Sequence, residues 1–233
     1  MVHWKKWMSG ARGYVFILLI VILCAVVVKS WFLDAIVIPS LSMEQTLLEG
    51  DYLLVNKFIY SARPGSESSG GNAGIQATPS HPVERGDVIV FRFPHGSEGN
   101  GIEPGRLFVK RCVAVAGDDF VLEGTHIPVP KRGATIVLDA ASFPRWKSLI
   151  EGEGHTASAG VEGNILIDGR ESSEYTVERN YLFVLGDNRD HSYDSRQWGF
   201  LPEENVVGKA MMVYWSVKPE GGIRWDRLGK IIM

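Results

Sequence analysis

The longest apolar run of the chain covers residues 14–32, in which Lys29 is the only charged side chain. A helix rises about 1.5 Å per residue, so a run of this length spans about 28 Å, close to the roughly 30 Å hydrocarbon core of a bilayer. Lys29 stands near the end of the run, and Trp31 and Phe32 are residues typical of a membrane interface. The pattern predicts a transmembrane anchor.

The flanks of this run predict its orientation. Residues 1–13 carry Lys5, Lys6 and Arg12 and no acid, and basic flanks stay in the cytoplasm. The chain after the anchor is therefore expected on the outer side of the membrane. A cleaved signal peptide is the alternative, but Lys-Ser-Trp-Phe-Leu-Asp follows the apolar run where a small-residue cleavage site would stand. We favour a retained, single-pass anchor.

Beyond the anchor, the hydrophobic pattern changes to short runs rich in β-branched and aromatic residues, bounded by Gly, Pro and Asp. Asp168-Gly169 is typical of a two-residue hairpin turn. Two stretches rich in Gly, Ser and Pro, residues 61–82 and 95–105, are expected to be surface loops. The pattern predicts a mainly β fold with strands at residues 51–57, 88–93, 107–116, 135–138, 164–167, 181–185 and 206–215.

Composition narrows the function classes. The chain has 233 residues, which suits one large domain or one domain with an insertion, and its apolar content of 45% is that of a globular protein. A net charge of −3 without a basic, aromatic-bearing stripe argues against nucleic-acid binding. Cys24 and Cys112 cannot form a disulfide framework, and the histidines lack metal-ligand spacing. We expect neither a metal nor a cofactor.

Two features suggest nucleophilic chemistry. Ser40 and Ser42 follow Pro39, whose ring fixes φ just ahead of the two hydroxyls. Lys110 lies in a predicted strand with apolar residues on both faces, which indicates burial. Burial lowers a lysine pKa, and a neutral amine can serve as the general base that a serine nucleophile needs. A polar turn and a lysine that reaches solvent at a strand edge are the simpler alternatives.

A second polar cluster occupies residues 185–200, where acids and arginines alternate and Trp198 and Phe200 imply packing. Its aspartates do not match an EF-hand loop, and its arginines already supply counter-charge. His191 as the base of a Ser-His-Asp triad remains an alternative to Lys110.

The chain resembles the bacterial type I signal peptidases, membrane-bound Ser/Lys endopeptidases that remove signal peptides from exported proteins. Five stretches carry the resemblance, in family order after an N-terminal anchor, and they cover about a third of the chain. They are residues 39–43 with 46–47, 50–57, 85–91, 108–111 with 117–118, and 186–190 with 208–210. Leu41, Gln45 and His191 depart from the residues that are common in the family, and none of these departures removes a catalytic group.

The resemblance implies roles for individual residues. Ser42 would be the nucleophile and Lys110 the general base, with the Ser42 N–H and the Ser40 hydroxyl forming the oxyanion hole. Ser192 would orient the lysine amine. Supporting roles fall to Arg111, Asp187, Asp194 and Arg196. The substrate would lie extended, with small residues at the first and third positions before the cut, in pockets walled by Ile36, Ile38, Phe108 and Val109.

The resemblance also implies an architecture and a location. Residues 33–118 and 179–233 would form a catalytic core of antiparallel β-sheets, with a smaller β domain inserted at residues 119–178. Residues 1–13 would be cytoplasmic, and the catalytic domain would lie outside the cytoplasmic membrane. Signal peptides of exported preproteins, membrane lipid and the secretion translocon would be the partners. The alternatives are a cytoplasmic self-cleaving repressor, which the anchor argues against, a peptidase dedicated to a pilus or conjugation substrate, and an inactive anchored binding module.

Overall fold

The computed structural model describes residues 14–23, 33–60, 81–94, 105–160 and 163–233. The first described segment is a helix, α1, at residues 14–23, with exposed side chains. Within these ranges no helix is both long enough and apolar enough to cross a membrane. The rest of the predicted anchor, residues 24–32, the predicted cytoplasmic residues 1–13 and most of the two predicted loops lie outside the described residues.

Fifteen strands and two further helices follow α1 in the described part of the chain. The helices are α2 at Phe143–Gly152 and α3 at Ser195–Trp198. Four 3-10 turns lie at Leu41–Met43, Arg189–His191, Glu203–Asn205 and Trp225–Arg227. The strands are β1 Leu33–Val37, β2 Asp51–Asn56, β3 Val88–Arg92, β4 Leu107–Ala114, β5 Asp119–Leu122, β6 Thr125–Pro128, β7 Thr135–Val137, β8 Ala157–Ala159, β9 Ile165–Ile167, β10 Arg170–Glu171, β11 Glu174–Thr176, β12 Tyr181–Leu185, β13 Leu201–Pro202, β14 Val206–Ser216 and β15 Lys230–Ile231.

A single eight-stranded sheet forms the core, in the order β1-β2-β14-β3-β4-β12-β13, with β15 paired to β14. Every strand pair in it is antiparallel. The prediction of a mainly β fold is confirmed, although one sheet holds the core strands together. Strand β3 shows that the sheet separates two apolar clusters. Val88 and Val90 pack into one cluster, and Ile89 and Phe91 pack into the other. Successive side chains point to opposite faces, so this strand is buried on both.

The segment between β4 and β12 contains strands β5–β11, arranged in three small sheets, and helix α2. The sequence pattern did not predict helix α2 within the expected β insertion. In α2, Phe143, Trp146, Leu149 and Ile150 are buried on one face, at the spacing of an amphipathic helix. This face packs into the same apolar cluster as Ala114 of β4 and as β12, so the insertion shares a core with the sheet. The boundaries of the inserted domain stay a prediction.

The turn at Asp168-Gly169 is confirmed. Ile167 pairs with Arg170 across a two-residue loop, and Asp168 and Gly169 have φ values of 51° and 75°. Positive φ at both central residues is what a type I′ hairpin turn requires.

A buried ion pair ties the C-terminal part of the chain to the start of β2. Asp51 is fully buried, and Arg227 donates two hydrogen bonds from Nε to its carboxylate, at 2.9 Å and 3.1 Å. Burial alone would raise the pKa of Asp51, but the hydrogen bonds from Arg227 and Ser216 outweigh it and lower the pKa. Arg227 also donates to the Thr46 carbonyl at 3.0 Å. The pair therefore fixes the segment that precedes β2.

We predict that Arg227→Ala destabilises the fold strongly, because it leaves a buried carboxylate without a cation. Removing one partner of such a pair typically costs about 3–5 kcal/mol in the free energy of unfolding, which urea denaturation measures. Arg85→Ala is the matched control, since the pair of Arg85 with Asp118 lies at the surface, and little change is expected. An equal loss of unfolding free energy in the two variants would contradict the claim that the buried pair stabilises the fold more than the surface pair.

Candidate functional site

A serine and a lysine from distant segments of the chain meet beside strand β4 of the core sheet. The Ser42 Oγ lies 2.6 Å from the Lys110 Nζ, and the two residues are only 9% and 2% exposed. Ser42 belongs to the 3-10 turn at Leu41–Met43, and Lys110 belongs to β4. Because 68 residues separate them in the sequence, the contact depends on the folded sheet.

The turn that carries Ser42 is held on both sides. Before it, the Ile38 N–H donates to the Asp51 carbonyl, and the Ile38 carbonyl accepts from the Gly50 N–H. At its end, Met43 and the following Leu47 are buried in the same apolar cluster as residues of β2 and β14. The Ser40 Oγ lies 3.3 Å from the Ser42 Oγ, so the two hydroxyls predicted from the sequence are neighbours.

The environment of Lys110 favours the neutral amine. Burial lowers the pKa of Lys110 to about 8, although Asp194 and Asp187 act in the opposite direction. The ring of Phe108, on the same face of β4, has its centroid 5.6 Å from Nζ. A substantial fraction of the amine is therefore neutral at mildly basic pH, and the Ser42 hydroxyl is within reach of it.

Each nearby carboxylate is bound to its own arginine. Asp187 accepts hydrogen bonds from the Arg111 Nε and Nη2, both at 2.8 Å, and from the Thr46 hydroxyl at 2.5 Å. Asp194 accepts from the Arg196 Nε at 2.8 Å and Nη2 at 3.0 Å. Burial raises the pKa of both acids, but the hydrogen bonds from these arginines and from neighbouring groups together hold both pKa values below the ordinary range.

The segment at residues 186–188 holds the serine turn in place through hydrogen bonds and close packing. The Asn188 N–H donates to the Ser42 carbonyl at 3.1 Å, and the Asn188 side chain donates to the Leu41 carbonyl at 3.1 Å. At Gly186, a Cβ would lie 2.5 Å from the Ser42 carbonyl oxygen and 2.1 Å from the Ser192 Oγ, so only glycine fits. This stretch is part of the family resemblance in the sequence, but the resemblance implied no role for Asn188 or Gly186.

Ser192 and His191 differ in their positions. Ser192 is buried beside Gly186, and its hydroxyl lies close enough to Asp194 to help lower the pKa of that acid. Among the described residues, however, the Ser192 Oγ has no hydrogen-bond partner of ordinary geometry, and Lys110 is not bonded to it. His191 is exposed, and its Nδ1 lies 3.3 Å from the Asn188 Oδ1.

Two strand edges beside Ser42 remain open within the described part of the chain. β1 pairs with β2 alone, which leaves its outer edge free. β4 pairs with β12 only from Arg111 onward, so the edge of residues 107–110 on that side is free as well. Of the four predicted wall residues, Ile38 and Val109 are buried in the same cluster as Met43, Ile36 packs against that cluster, and Phe108 packs against the opposite one.

No group of three or more His, Cys, Asp or Glu side chains in the described ranges is arranged to hold a metal ion.

Comparison with known proteins identifies the family. The family model described as "Signal peptidase, peptidase S26" matches residues 11–215. A protein named Signal peptidase I from Aquifex aeolicus is 32% identical, over 86% of this chain and 83% of its own length. A protein of the same name from Haemophilus influenzae is 29% identical, over 94% of this chain and 75% of its own length. Another from Pseudomonas aeruginosa is also 29% identical, over 84% of this chain and 69% of its own length. The chain belongs to peptidase family S26, the signal peptidases.

Proposed function

We propose that the protein acts as a signal peptidase I, a serine endopeptidase that removes N-terminal signal peptides from exported preproteins by means of a Ser/Lys dyad. The observation that carries this proposal is the 2.6 Å contact between the Ser42 hydroxyl and the buried Lys110 amine. A lysine with a lowered pKa beside a hydroxyl on a fixed turn is the arrangement that base-assisted attack by serine requires.

In the proposed mechanism, neutral Lys110 takes the proton of Ser42 as the Ser42 oxygen attacks the scissile carbonyl. The Ser42 N–H and the Ser40 hydroxyl stabilise the developing oxyanion, each donor being worth about 3 kcal/mol in such sites. Lys110 then gives its proton to the leaving amine. The neutral lysine finally activates a water molecule, which attacks the acyl-enzyme and releases Ser42.

Ser192 would orient the Lys110 amine through a neutral hydrogen bond formed when substrate is bound. Its buried hydroxyl lacks a well-formed partner, which supports this role, and catalytic hydrogen bonds often tighten only in the substrate complex. The arginine partners of Asp187 and Asp194 matter here as well, because an unpaired carboxylate near Lys110 would favour the protonated amine.

The substrate would add an extended segment to the free edges of β1 and β4, with its backbone bonded to the strands. Ile38 and Val109 are buried next to the serine turn, so they leave little depth for a side chain at the first position before the cut. This favours Ala-x-Ala sequences. A bulky residue would collide with these walls, and a charged one would lose its hydration without gaining a partner.

A purified preprotein that ends its signal sequence with Ala-x-Ala tests the proposal. The wild-type protein in detergent should cut it after the second alanine, and the same preprotein with Trp at that position should stay intact. Ser42→Ala and Lys110→Arg should both abolish cleavage, because the first lacks the nucleophile and the second carries a base that stays protonated. Mass spectrometry of the products measures the site of the cut.

Two neighbouring variants separate the dyad from its alternatives. Ser192→Ala should lose about 10- to 100-fold in turnover, since it removes an orienting bond and leaves the base in place. His191→Ala should keep most of the activity, whereas a triad built on His191 predicts an inactive variant. Cleavage that survives Lys110→Ala but not His191→Ala would refute the dyad, and a wild-type protein that cuts no preprotein would favour an inactive binding module.

We further propose that residues 14–32 anchor the protein in the cytoplasmic membrane, with the N-terminus inside and the catalytic domain outside, in contact with lipid and near the translocon. The apolar run and its basic N-terminal flank support this topology. Protease added to intact spheroplasts should therefore digest the domain beyond residue 33, as it does a marker on the outer face. Full protection of that domain, with digestion only after lysis, would contradict the topology.

A further inference from the structure

A second concave site lies beside the catalytic one. A cleft of about 760 Å³ opens between the β5–β6 hairpin, helix α2 and helix α3. Leu122, Ile127, Phe183 and Phe200 contribute apolar surface, and polar side chains such as Arg145 and Gln197 are interspersed among them. This volume and this mixture are typical of ligand-binding sites. Of the residues that line the cleft, the proposed mechanism uses only Arg196, as the partner of Asp194.

The cleft begins one residue from the catalytic site. Tyr193 lines the cleft and directly follows Ser192, which packs against Gly186. Gly186 in turn lies against the Ser42 carbonyl. The Tyr193 ring lies 6.2 Å from that of Phe93, which lies 5.1 Å from Phe108, the ring beside Lys110. An extended chain covers about 3.3 Å per residue, so only a few residues of a bound polypeptide separate the two places.

The charge of the cleft points to an occupant. Arg145 stacks over the Trp146 ring at 4.9 Å and makes no ion pair with any residue in the described ranges. Arg145 is exposed, and desolvation by the neighbouring rings lowers its pKa. The other basic residue of the cleft, Arg196, is already paired with Asp194, and Glu123 is the one acid among the described lining residues. Arg145 is therefore available to an acidic group.

We propose that this cleft binds the part of the preprotein that follows the scissile bond, with Arg145 pairing with an acidic side chain of that segment. The inference rests on the proposed function. The segment after a signal sequence has crossed the membrane, and sequences on that side of an apolar run are poor in Lys and Arg. Such a segment has little charge that would repel Arg145, and its apolar side chains fit the aromatic wall.

Two peptide substrates test the inference. Both share the sequence up to an Ala-x-Ala site and two residues beyond it, and the longer peptide carries six more residues, including two aspartates. The wild-type enzyme should cut the longer peptide with a kcat/KM about three- to fivefold higher, mainly through KM, as expected for one exposed charge pair. Arg145→Gln should remove this preference and leave kcat/KM for the short peptide unchanged.

Matched variants sharpen the outcome. Lys147→Gln, on the same helix but outside the cleft lining, should keep the preference, and Ser148→Trp, which fills the cleft from α2, should lose it. Arg145→Glu should instead prefer a long peptide with lysines in place of the aspartates. An equal preference in wild type and Arg145→Gln, or no advantage of the longer peptide in the wild type, would overturn the inference. If neither peptide is cut, the proposed function itself fails, and this inference fails with it.

Discussion

The burial of one amine is the constraint on which the site depends. A lysine at 2% exposure would ordinarily need a carboxylate partner, and Lys110 instead meets a serine hydroxyl and an aromatic ring. This environment brings the pKa of Lys110 to about 8. Because the folded-state pKa lies below the unfolded one, the charged amine destabilises the fold at neutral pH. This loss of unfolding free energy disappears as the pH rises from about 8 towards 10.5, because the amine in the folded state is then already neutral.

The surrounding polar groups follow from the same constraint. Arg111 and Arg196 each bind one aspartate in a bidentate fashion, so neither carboxylate contacts the amine. Arg111 also donates to the Thr46 hydroxyl and to the Gly86 carbonyl, which links the acid to the serine turn and to the loop before β3. The same contacts thus fix the turn mechanically and keep the lysine free of an acidic partner.

Much of the sheet could be predicted from the sequence, because its strands are continuous apolar runs that end at Gly, Asp or Pro. Strand β12 has the bounds that the pattern predicted, and β2, β3 and β14 differ by a single residue at one end. The period-two pattern also placed Lys110 on the same face as Phe108, and their contact at 5.6 Å fits that face. These features depend on local sequence, which is why they could be read from it.

Other features depend on contacts between distant segments. Helix α2 was missed because its Phe143-Pro144 start and short length leave few turns of helical pattern within a Gly- and Ser-rich region. Gly186 and Asn188 matter because they contact the serine turn, which lies about 145 residues earlier in the chain. A local sequence pattern does not show such a contact. The expected hydrogen bond between Ser192 and Lys110 is absent among the described hydrogen bonds of both residues. Strand periodicity shows which face a side chain lies on, but it does not show which atoms come within hydrogen-bond distance.

NMR titration of the Lys110 Cε and Nζ can show whether this lysine is a neutral base at the pH at which the enzyme works. The lysines would be labelled with ¹³C and ¹⁵N, and the Lys110 signal would be assigned as the one missing from Lys110→Met. The burial of Lys110 predicts a titration midpoint at about 8. A midpoint near 10.5, the ordinary lysine value, would mean that Lys110 stays protonated at neutral pH and cannot act as the base.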